Sequence, residues 1–269
     1  MSKTKTFRAL HANPKQPLIL ANVWDAAGAR IVESLGGQAI ASTSGGVAWA
    51  FGYPDGDRLP VAKLAALAES IVNAVKIPVT FDVEGGYSDK PGTVAENLKA
   101  VFAAGVVGIN IEDGSEPVSL LAKKIEAIKS LASSMGVDVF VNARTDVYLQ
   151  DLVTDDKKIE ETLARAKAYQ AAGADGLFVP CLTDATEIGQ ITRGTELPIN
   201  LMAMPGLPKA SALAKLGVRR LSSGTAHAQL AWGGFAKSAE KFLAEGDPKA
   251  LAGESMGYGD LQKLFEGRK

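Results

Sequence analysis

The chain has 269 residues, of which 46% are hydrophobic and 22% are charged, a composition typical of folded globular proteins and not of disordered ones. Its 29 Lys and Arg residues balance 30 Asp and Glu residues, so the formal charge of −1 gives no bulk electrostatic reason to bind nucleic acid or an anionic membrane. No apolar run approaches the roughly 20 residues that cross a bilayer, which leaves a small molecule as the expected partner.

Two features bear on the compartment. The N-terminal segment MSKTKTFRALHANPKQPLIL lacks the apolar core of a secretion signal. Cys181 is the single cysteine, so the chain cannot form an internal disulfide. Both features predict a cytoplasmic protein.

Short strand-like runs alternate with helix-like runs along the chain. The first three units are LILANVWD with AAGARIVESLG, QAIASTSGG with PVAKLAALAESIVNAV, and IPVTFDVEGG with PGTVAENLKAVFAAG. The strand-like runs VVGINIEDG, VFVNARTD, DGLFVPC, LPINLMAM and VRRLSSG follow, each with its own helical run, which makes eight units. Several predicted helices stop at a glycine, such as Gly36 and Gly105, where a left-handed residue ends a helix at little cost.

Eight such units in about 250 residues predict a closed (β/α)8 TIM barrel of the α/β class, with parallel strands inside and helices outside. A doubly wound open sheet is the alternative, but its first turn, NVWDAAGAR, lacks the Gly-x-Gly-x-x-Gly pattern of a dinucleotide-binding sheet. No linker divides the chain. We therefore expect a single barrel domain over residues 1–269, with 235–269 as a C-terminal helical extension.

A TIM barrel carries its chemistry at the carboxyl ends of its strands, and the unusual polar residues fall there. Asp82 and Glu84 interrupt an apolar segment two positions apart, and residues i and i+2 of a strand face the same way. Like charges so close require a cation between them or a role in proton chemistry. The other predicted strand ends carry Ser44, Gly45, Gly46, Glu112, Arg144 and Cys181.

Three acids converging on one mouth favour a hard cation, Mg²⁺ or Mn²⁺, with Asp82, Glu84 and Glu112 as ligands. The alternative is that these acids cap the following helices or pair with lysines. Zinc is disfavoured, because His11 and His227 lie away from the acids in the predicted fold.

The remaining strand-end residues have two interpretations each. The guanidinium of Arg144 could bind a substrate carboxylate or phosphonate, or it could pair with one of the same acids. Ser44, Gly45 and Gly46 could present backbone N–H groups to an anion, although glycine is also common wherever a turn is tight. Cys181 has no base or cation near it in sequence, so we interpret it as pocket lining and not as a nucleophile.

These motifs resemble the isocitrate lyase and phosphoenolpyruvate mutase superfamily. The resemblance runs through STSGGVAWAFGYPDGD, FDVEGGYSD, AGVVGINIEDG and VNARTD and covers nearly the whole chain. Members of that superfamily are (β/α)8 barrels that hold Mg²⁺ and an α-keto acid or its enolate at the mouth. They make or break a C–C or P–C bond next to the keto group.

The resemblance also implies roles for individual residues. Asp82 matches the direct Mg²⁺ ligand, Glu84 stands where the family usually has a second Asp, and Glu112 matches the acid of the IED motif. The last two often reach the metal through water. Ser44, Gly45 and Gly46 match the loop that binds the substrate carboxylate, and the implied catalytic residues are Asp55 of GYPD, Arg144 of ART and Glu112.

Two loops of the superfamily are missing. Lyases carry a Lys-Lys/Arg-Cys-Gly-His segment whose cysteine is the catalytic acid or base, but this chain has EDGSEPVSLLAKK there, and it also lacks the polar loop of the mutases. We expect a Mg²⁺-dependent lyase or decarboxylase that cleaves a C–C bond of an α-keto acid through a metal-stabilised enolate. The alternatives are P–C chemistry, as in phosphoenolpyruvate mutase or phosphonopyruvate hydrolase, and a non-catalytic keto-acid-binding protein.

The last helical run, TAHAQLAWGGFAKSAEKFLAEG, contains Gly233 and Gly234, which predict an interruption and a hinge. Beyond them lie more apolar side chains, including Phe242 and Leu261, than a solvated tail needs. Superfamily members resemble one another in swapping a terminal helix between barrels that form tetramers. We therefore expect a homotetramer that exchanges the segment after Gly234, the alternative being a segment that packs on its own barrel.

Overall fold

Nine parallel strands form one sheet in the computed structural model of the chain, which describes residues 2–253 and 255–266. The strands are β1 (Leu18–Leu20), β2 (Asn22–Val23), β3 (Ile40–Ser42), β4 (Val79–Asp82), β5 (Gly108–Glu112), β6 (Phe140–Arg144), β7 (Gly176–Val179), β8 (Ile199–Met202) and β9 (Val218–Ser222). The helices are α1 (Lys3–His11), α2 (Ala26–Ser34), α3 (Ser44–Ala50), α4 (Val61–Ala74), α5 (Pro91–Ala103), α6 (Val118–Ser134), α7 (Lys158–Ala171), α8 (Ala185–Gly194), α9 (Ala210–Lys215), α10 (Ala226–Glu245) and α11 (Tyr258–Phe265), with 3-10 turns at Asp155–Lys157 and Pro248–Leu251.

The sheet closes because its first barrel strand is split in two. β1 pairs with β9, with Leu18 opposite Arg220, and β2 pairs with β3, with Asn22 opposite Ala41. Only Ala21 separates β1 from β2, so the two edges of the sheet belong to one short segment. The predicted (β/α)8 barrel is therefore confirmed, with the eight predicted units in their predicted order.

The core lies between the barrel and its helices. The four residues of β4 and the four of β7 are all buried, as expected for parallel strands covered on both faces. Ile71, Ile125 and Ile188 project from α4, α6 and α8 into this layer with no exposed surface. The helix ends are as predicted at Gly36 and Gly105, whose φ angles of +87° and +98° are in the left-handed region.

Helix α1 covers the N-terminal end of the barrel. Phe7 has no exposed surface, and the His11 ring stacks on Phe140 with ring centroids 4.3 Å apart. Arg8 donates to Asp138 (2.6 Å) and to Asp175 (2.7 Å). The end of the barrel opposite the strand-end acids is thus sealed by aromatic packing and ion pairs.

Helix α10 differs from the sequence prediction. It runs without a break through Gly233 and Gly234, so the predicted interruption is wrong, and the predicted boundary at residue 235 falls inside the helix. Glycine costs a helix only about 1 kcal/mol per residue relative to alanine, which the other residues of a 20-residue helix offset.

None of the helices in the described part of the chain combines the length and apolar character that a membrane span requires.

Candidate active site

A cavity of about 270 Å³ opens at the carboxyl ends of the barrel strands. Four of the predicted site residues line it: Ser44, Asp55, Asp82 and Arg144. The sequence analysis did not identify several further lining residues, among them Asn22, Thr43, Asn110, Leu149, Phe178 and Met202. The structure therefore brings together an acid pair, an arginine and a hydroxyl, as the barrel topology predicts.

Asp82 is the last residue of β4 and is only 8% exposed. Its Oδ1 accepts a hydrogen bond from the backbone N–H of Glu84 (3.1 Å), and its Oδ2 accepts one from Nδ2 of Asn110 (3.2 Å). Each carboxylate oxygen has two lone pairs, so one on each is left without a hydrogen bond from the described part of the chain. Burial raises the pKa of Asp82, against the opposing effect of the Arg144 charge.

A polar layer inside the barrel holds Asn110 in one orientation. Its Oδ1 accepts from Nδ2 of Asn142 (2.9 Å) and from Nη2 of Arg220 (3.0 Å), so its amide NH₂ is left to face Asp82. Asn142 also donates to Oδ1 of Asn200 (3.0 Å). Arg220 has no exposed surface, and burial lowers its pKa to about 9, against the opposing effect of the Asp82 charge.

The sequence itself indicates this polar layer. The strands that contain INIE, FVNAR and INLM each have one asparagine among apolar residues. A polar side chain in the middle of a buried strand needs hydrogen-bond partners inside the barrel. Such asparagines therefore indicate a polar interior even without a structure.

Arg144 lines the cavity and is also paired with the acids beside it. It ends β6 and lines the cavity, while its Nη1 lies 2.5 Å from Oε2 of Glu112 and its Nε donates to Oδ1 of Asp146 (2.6 Å). Burial opposes the charged form, but the charges of Glu112 and Asp146 outweigh it and keep the pKa of Arg144 above its usual range. The guanidinium is thus fixed in place by the acids around it.

Glu84 turns away from Asp82. Strand β4 ends at Asp82, and Glu84 has a left-handed φ of +52°, so the expectation that the two side chains project from one strand face is wrong. The Oε2 atom of Glu84 accepts hydrogen bonds from the backbone N–H groups of Gly56 (2.8 Å) and Asp57, and Oε1 accepts one from the Tyr87 hydroxyl (3.0 Å). Burial is the main cause that raises the pKa of Glu84 to about 7.

Glu112 ends β5 and is occupied by its ion pair with Arg144. Burial raises the pKa of Glu112 to about 8, even though the Arg144 charge acts to lower it. Within residues 2–253 and 255–266, no group of three or more His, Cys, Asp or Glu side chains is arranged to hold a metal ion. Of the three predicted ligands, Asp82 alone borders the cavity.

The donor chemistry nevertheless fits a hard cation. Asp55 and Asp82 offer carboxylate oxygens to the cavity, where Arg144 is the one cationic lining residue in the described chain. His11 lies at the opposite end of the barrel, and the exposed His227 bonds through Nδ1 to Oγ of Ser223 (2.8 Å). Oxygen donors without imidazole suit Mg²⁺ or Mn²⁺ better than zinc.

The other predicted substrate-binding residues divide into two groups. Ser44 lines the cavity at the start of α3, whereas Gly45 and Gly46 are buried in the first turn of that helix. A Cβ on Gly45 would lie 3.1 Å from Oδ2 of Asp55, so the glycine allows that acid to approach. Cys181 is not among the lining residues, and burial raises its pKa, which disfavours the thiolate.

Comparison with known proteins identifies the family. The sequence pattern of the phosphoenolpyruvate phosphomutase family matches residues 7–243. The chain belongs to this family. The match spans every strand of the barrel and all of the candidate site residues, so the resemblance inferred from the sequence is confirmed.

Individual relatives of this phosphoenolpyruvate phosphomutase family member cover most of the chain. A solved structure from Burkholderia cenocepacia, of a protein proposed to be a phosphonomutase, is 41% identical and covers 88% of this chain and 99% of its own with a TM-score of 0.83. An uncharacterized protein of Mycobacterium tuberculosis is 39% identical over 225 residues, 82% of each chain. An oxaloacetate decarboxylase of Bradyrhizobium is 32% identical over 211 residues, 74% of this chain and 70% of that protein. The chain is thus an enzyme of the PEP mutase/isocitrate lyase superfamily.

Proposed function

We propose that the protein is a divalent-metal-dependent lyase or decarboxylase that cleaves a C–C bond next to the keto group of a small α-keto acid. The observation that carries this proposal is the cavity that collects Asp82, a carboxylate with open lone pairs, and Arg144, a fixed guanidinium, at the ends of the two strands that flank β5. The likeness to an oxaloacetate decarboxylase supports C–C cleavage. Mg²⁺ or Mn²⁺ is the proposed cofactor.

The residues of the chain divide the work of such a reaction. Bound Mg²⁺ would supply a Lewis acid that stabilises enolate charge on the keto oxygen. Asp82 would hold the ion directly, while Glu112, which pairs with Arg144, would reach it only through water. Glu84 is taken up by its bonds to Gly56, Asp57 and Tyr87 and has no contact with the ion in this proposal. Arg144 would bind a substrate carboxylate with the second N–H groups of Nη1 and Nη2, since Glu112 and Asp146 take the first.

Two further lining residues, Ser44 and Asp55, would orient the substrate and transfer the proton. The hydroxyl of Ser44, at the start of α3, would orient a carboxylate of the substrate, while Gly45 leaves room for Asp55 to approach the same helix. When the C–C bond breaks, its electron pair would pass to the enolate, and Asp55, which lines the cavity and is exposed to solvent, would take up a proton from water and pass it to the enolate carbon. These roles for Ser44 and Asp55 are part of the proposal.

One observation favours a second candidate, P–C chemistry on a phosphonate. The Burkholderia relative at 41% identity is proposed to be a phosphonomutase, and a guanidinium such as Arg144 binds a phosphonate as well as it binds a carboxylate. C–C cleavage remains our first proposal because decarboxylation or retro-aldol cleavage depends least on the lyase and mutase loops, both of which the chain lacks.

A substrate panel tests both candidates. The protein is stripped with EDTA, reloaded with Mg²⁺ or Mn²⁺, and incubated with oxaloacetate, 2-methylmalate-type acids, phosphonopyruvate and phosphoenolpyruvate, with products followed by proton and phosphorus NMR. We expect metal-dependent cleavage of a C–C bond. Full activity after chelation would refute the metal, cleavage of phosphonates alone would select the second candidate, and binding without turnover would indicate a keto-acid-binding protein.

We also propose a homotetramer in which subunits exchange the segment 235–269. Helix α10 presents Leu230, Phe235 and Leu243 with 69% to 83% of their surface exposed, and a cleft of about 550 Å³ lies between α10 and the turn Pro248–Leu251. Exposed apolar surface of this kind supports a subunit interface. In the single chain α11 packs on α2, where Nε of Arg30 donates to the Leu264 carbonyl (2.6 Å), a contact that a partner would supply after exchange.

Light scattering on the purified protein tests the assembly. We expect a tetramer that is lost when Leu243→Asp places a charge in the interface, while Lys241→Asp on the same helix serves as the matched control. A monomer at micromolar concentration would refute the tetramer. A tetramer that persists after truncation at Gly246, where α10 ends, would refute exchange of the segment beyond that helix.

A further inference from the structure

Two segments at the mouth of the barrel hold each other through reciprocal hydrogen bonds. Glu84, in the turn after β4, accepts at Oε2 from the backbone N–H groups of Gly56 (2.8 Å) and Asp57. In return, Oδ1 of Asp57 accepts from the backbone N–H of Tyr87 (3.0 Å), in the same turn as Glu84. The Tyr87 hydroxyl donates to Oε1 of Glu84 (3.0 Å) and completes the arrangement, which we call the clasp.

The backbone of the clasp is strained. Within residues 2–253 and 255–266, five residues other than glycine have left-handed φ angles, and three of them are Asp57 (+58°), Glu84 (+52°) and Tyr87 (+60°). Such conformations are unfavourable for residues with a Cβ and persist where surrounding contacts impose them. A Cβ on Gly85 would lie 2.6 Å from Oδ2 of Asp57, so the clasp also requires glycine there.

The clasp holds the loop that carries Asp55. The loop 54–58 is exposed and has no regular secondary structure, yet it carries Asp55, which lines the cavity. In the described chain, the backbone N–H groups of this loop that bond to the rest of the protein are those of Gly56 and Asp57, and both go to Glu84. The turn that holds Glu84 is itself fixed, because Nζ of Lys124 on α6 donates to the Gly85 carbonyl (2.7 Å).

We propose that the clasp fixes Asp55 at the cavity, so that Glu84 and Asp57 are positioning residues for the reaction. This inference rests on the proposed function, in which Asp55 handles the proton. It also explains why the chain has a glutamate at this position. An aspartate would be one methylene shorter, and from the same backbone position its carboxylate could not reach the two N–H groups of the loop.

The order of two variants tests the proposal. Glu84→Gln keeps the clasp, because its amide oxygen can accept from Gly56 and Asp57 while its NH₂ donates to the Tyr87 hydroxyl. Glu84→Asp breaks the clasp but keeps the charge. If Glu84 bound a metal ion instead, Glu84→Asp would lower activity less than Glu84→Gln, since it keeps a carboxylate beside Asp82.

Three properties of each variant are measured. They are the amide hydrogen exchange of the peptide covering 53–59 in the metal-free protein, the Mn²⁺ affinity by electron paramagnetic resonance, and the kinetic constants kcat and KM. For Glu84→Asp we expect roughly tenfold faster exchange and a kcat about tenfold lower or more, with Mn²⁺ affinity within about threefold of the parent. Glu84→Gln is expected to stay within about threefold in all of them. Glu116→Asp, the same chemical change on an exposed side chain of the neighbouring loop, is the matched control.

Asp57→Ala provides a second variant that does not depend on the buried position 84, because Asp57 is exposed. It removes the other half of the clasp and is expected to accelerate the same exchange. Unchanged exchange in both Glu84→Asp and Asp57→Ala would overturn the proposal, and so would a loss of Mn²⁺ affinity in Glu84→Gln that Glu84→Asp avoids. The exchange readout needs no substrate, so failure of the clasp and failure of the proposed function remain distinguishable.

Discussion

The two ends of the barrel use charge in opposite ways. At the N-terminal end, Arg8 bonds to Asp138 and Asp175, and Lys129 lies 2.5 Å from the same Asp175, so opposite charges are paired directly. At the mouth, several acids gather around one arginine, and burial raises the pKa values of three of them: Asp82, Glu84 and Glu112. The N-terminal end thus pairs its charges for stability, whereas the mouth holds acids whose burial disfavours their charged forms.

Asp82→Asn is expected to have the largest effect, and mainly on activity. Removing the charge at the cavity should lower kcat/KM by about 10⁴-fold, about 5 kcal/mol in transition-state free energy. The free energy of unfolding should change by only about 1–2 kcal/mol, because asparagine removes a buried charge but can accept only one of the two hydrogen bonds from Glu84 and Asn110. Asp138→Asn at the other end is the control and should leave kcat/KM unchanged. Activity above a tenth of the parent would contradict the role of Asp82.

Phe7→Ala should lower the stability of the protein and leave its activity unchanged. Phe7 has no exposed surface, so its truncation should lower the free energy of unfolding by about 3–4 kcal/mol in urea titrations. Its kcat per folded molecule should stay within about twofold. Phe51→Ala, on a side chain that is 38% exposed, is the control and should cost less than about 1 kcal/mol. A large fall in kcat for Phe7→Ala would show that the two ends are coupled.

His11 makes the N-terminal end sensitive to acid. Burial is the main cause that lowers the pKa of His11 to about 3 in the folded protein, from 6.5. Between these values the unfolded chain binds more protons, so stability is complete above pH 6.5 and falls as the pH drops. The expected loss of the His11 contribution is about 2 kcal/mol at pH 5 relative to neutral pH, and the difference between the parent and His11→Gln isolates it from the opposite contributions of Glu84 and Glu112. In urea titrations at several pH values, His11→Gln should remove this slope and the exposed His227→Gln should not; an identical slope in both would refute the assignment.

Cys181→Ser should have the smallest effect. The thiol lies beside the mouth but does not line the cavity, and burial raises its pKa, which leaves little nucleophilic thiolate. We expect kcat/KM within about threefold of the parent in the assay that reports turnover. A loss of about a thousandfold, the size expected on removing a nucleophile, would mean that Cys181 takes part in the chemistry.

The site residues predicted correctly from the sequence are those whose positions follow from the topology of the barrel. Parallel strands in a barrel bring their carboxyl ends together whatever the side chains are, so Asp82 and Arg144 had to meet. Asn110 and Arg220 were missed because their partners are set by strand register and by the direction of side chains inside the barrel, which alternation along one strand does not specify.

The errors share a local cause. The rule that residues i and i+2 face the same way holds within a strand, but β4 ends at Asp82, and one left-handed residue turns Glu84 toward another loop. Likewise, the glycine pair Gly233–Gly234 indicates weak helix propensity but does not force a break, because α10 has the length to continue through it. Both outcomes depend on backbone conformation at single positions, where propensity is a weak guide.

The split first strand has a consequence for how the protein is made. Leu18 of β1 finds its partner, Arg220 of β9, only after about 200 further residues have been synthesised. At roughly 5–20 residues per second, the edge of β1 that receives β9 stays unpaired for on the order of 10–40 s on the ribosome. An open strand edge is a template for pairing with other chains. Nascent chains should therefore be most prone to aggregate, and most dependent on chaperones, just before β9 leaves the ribosome.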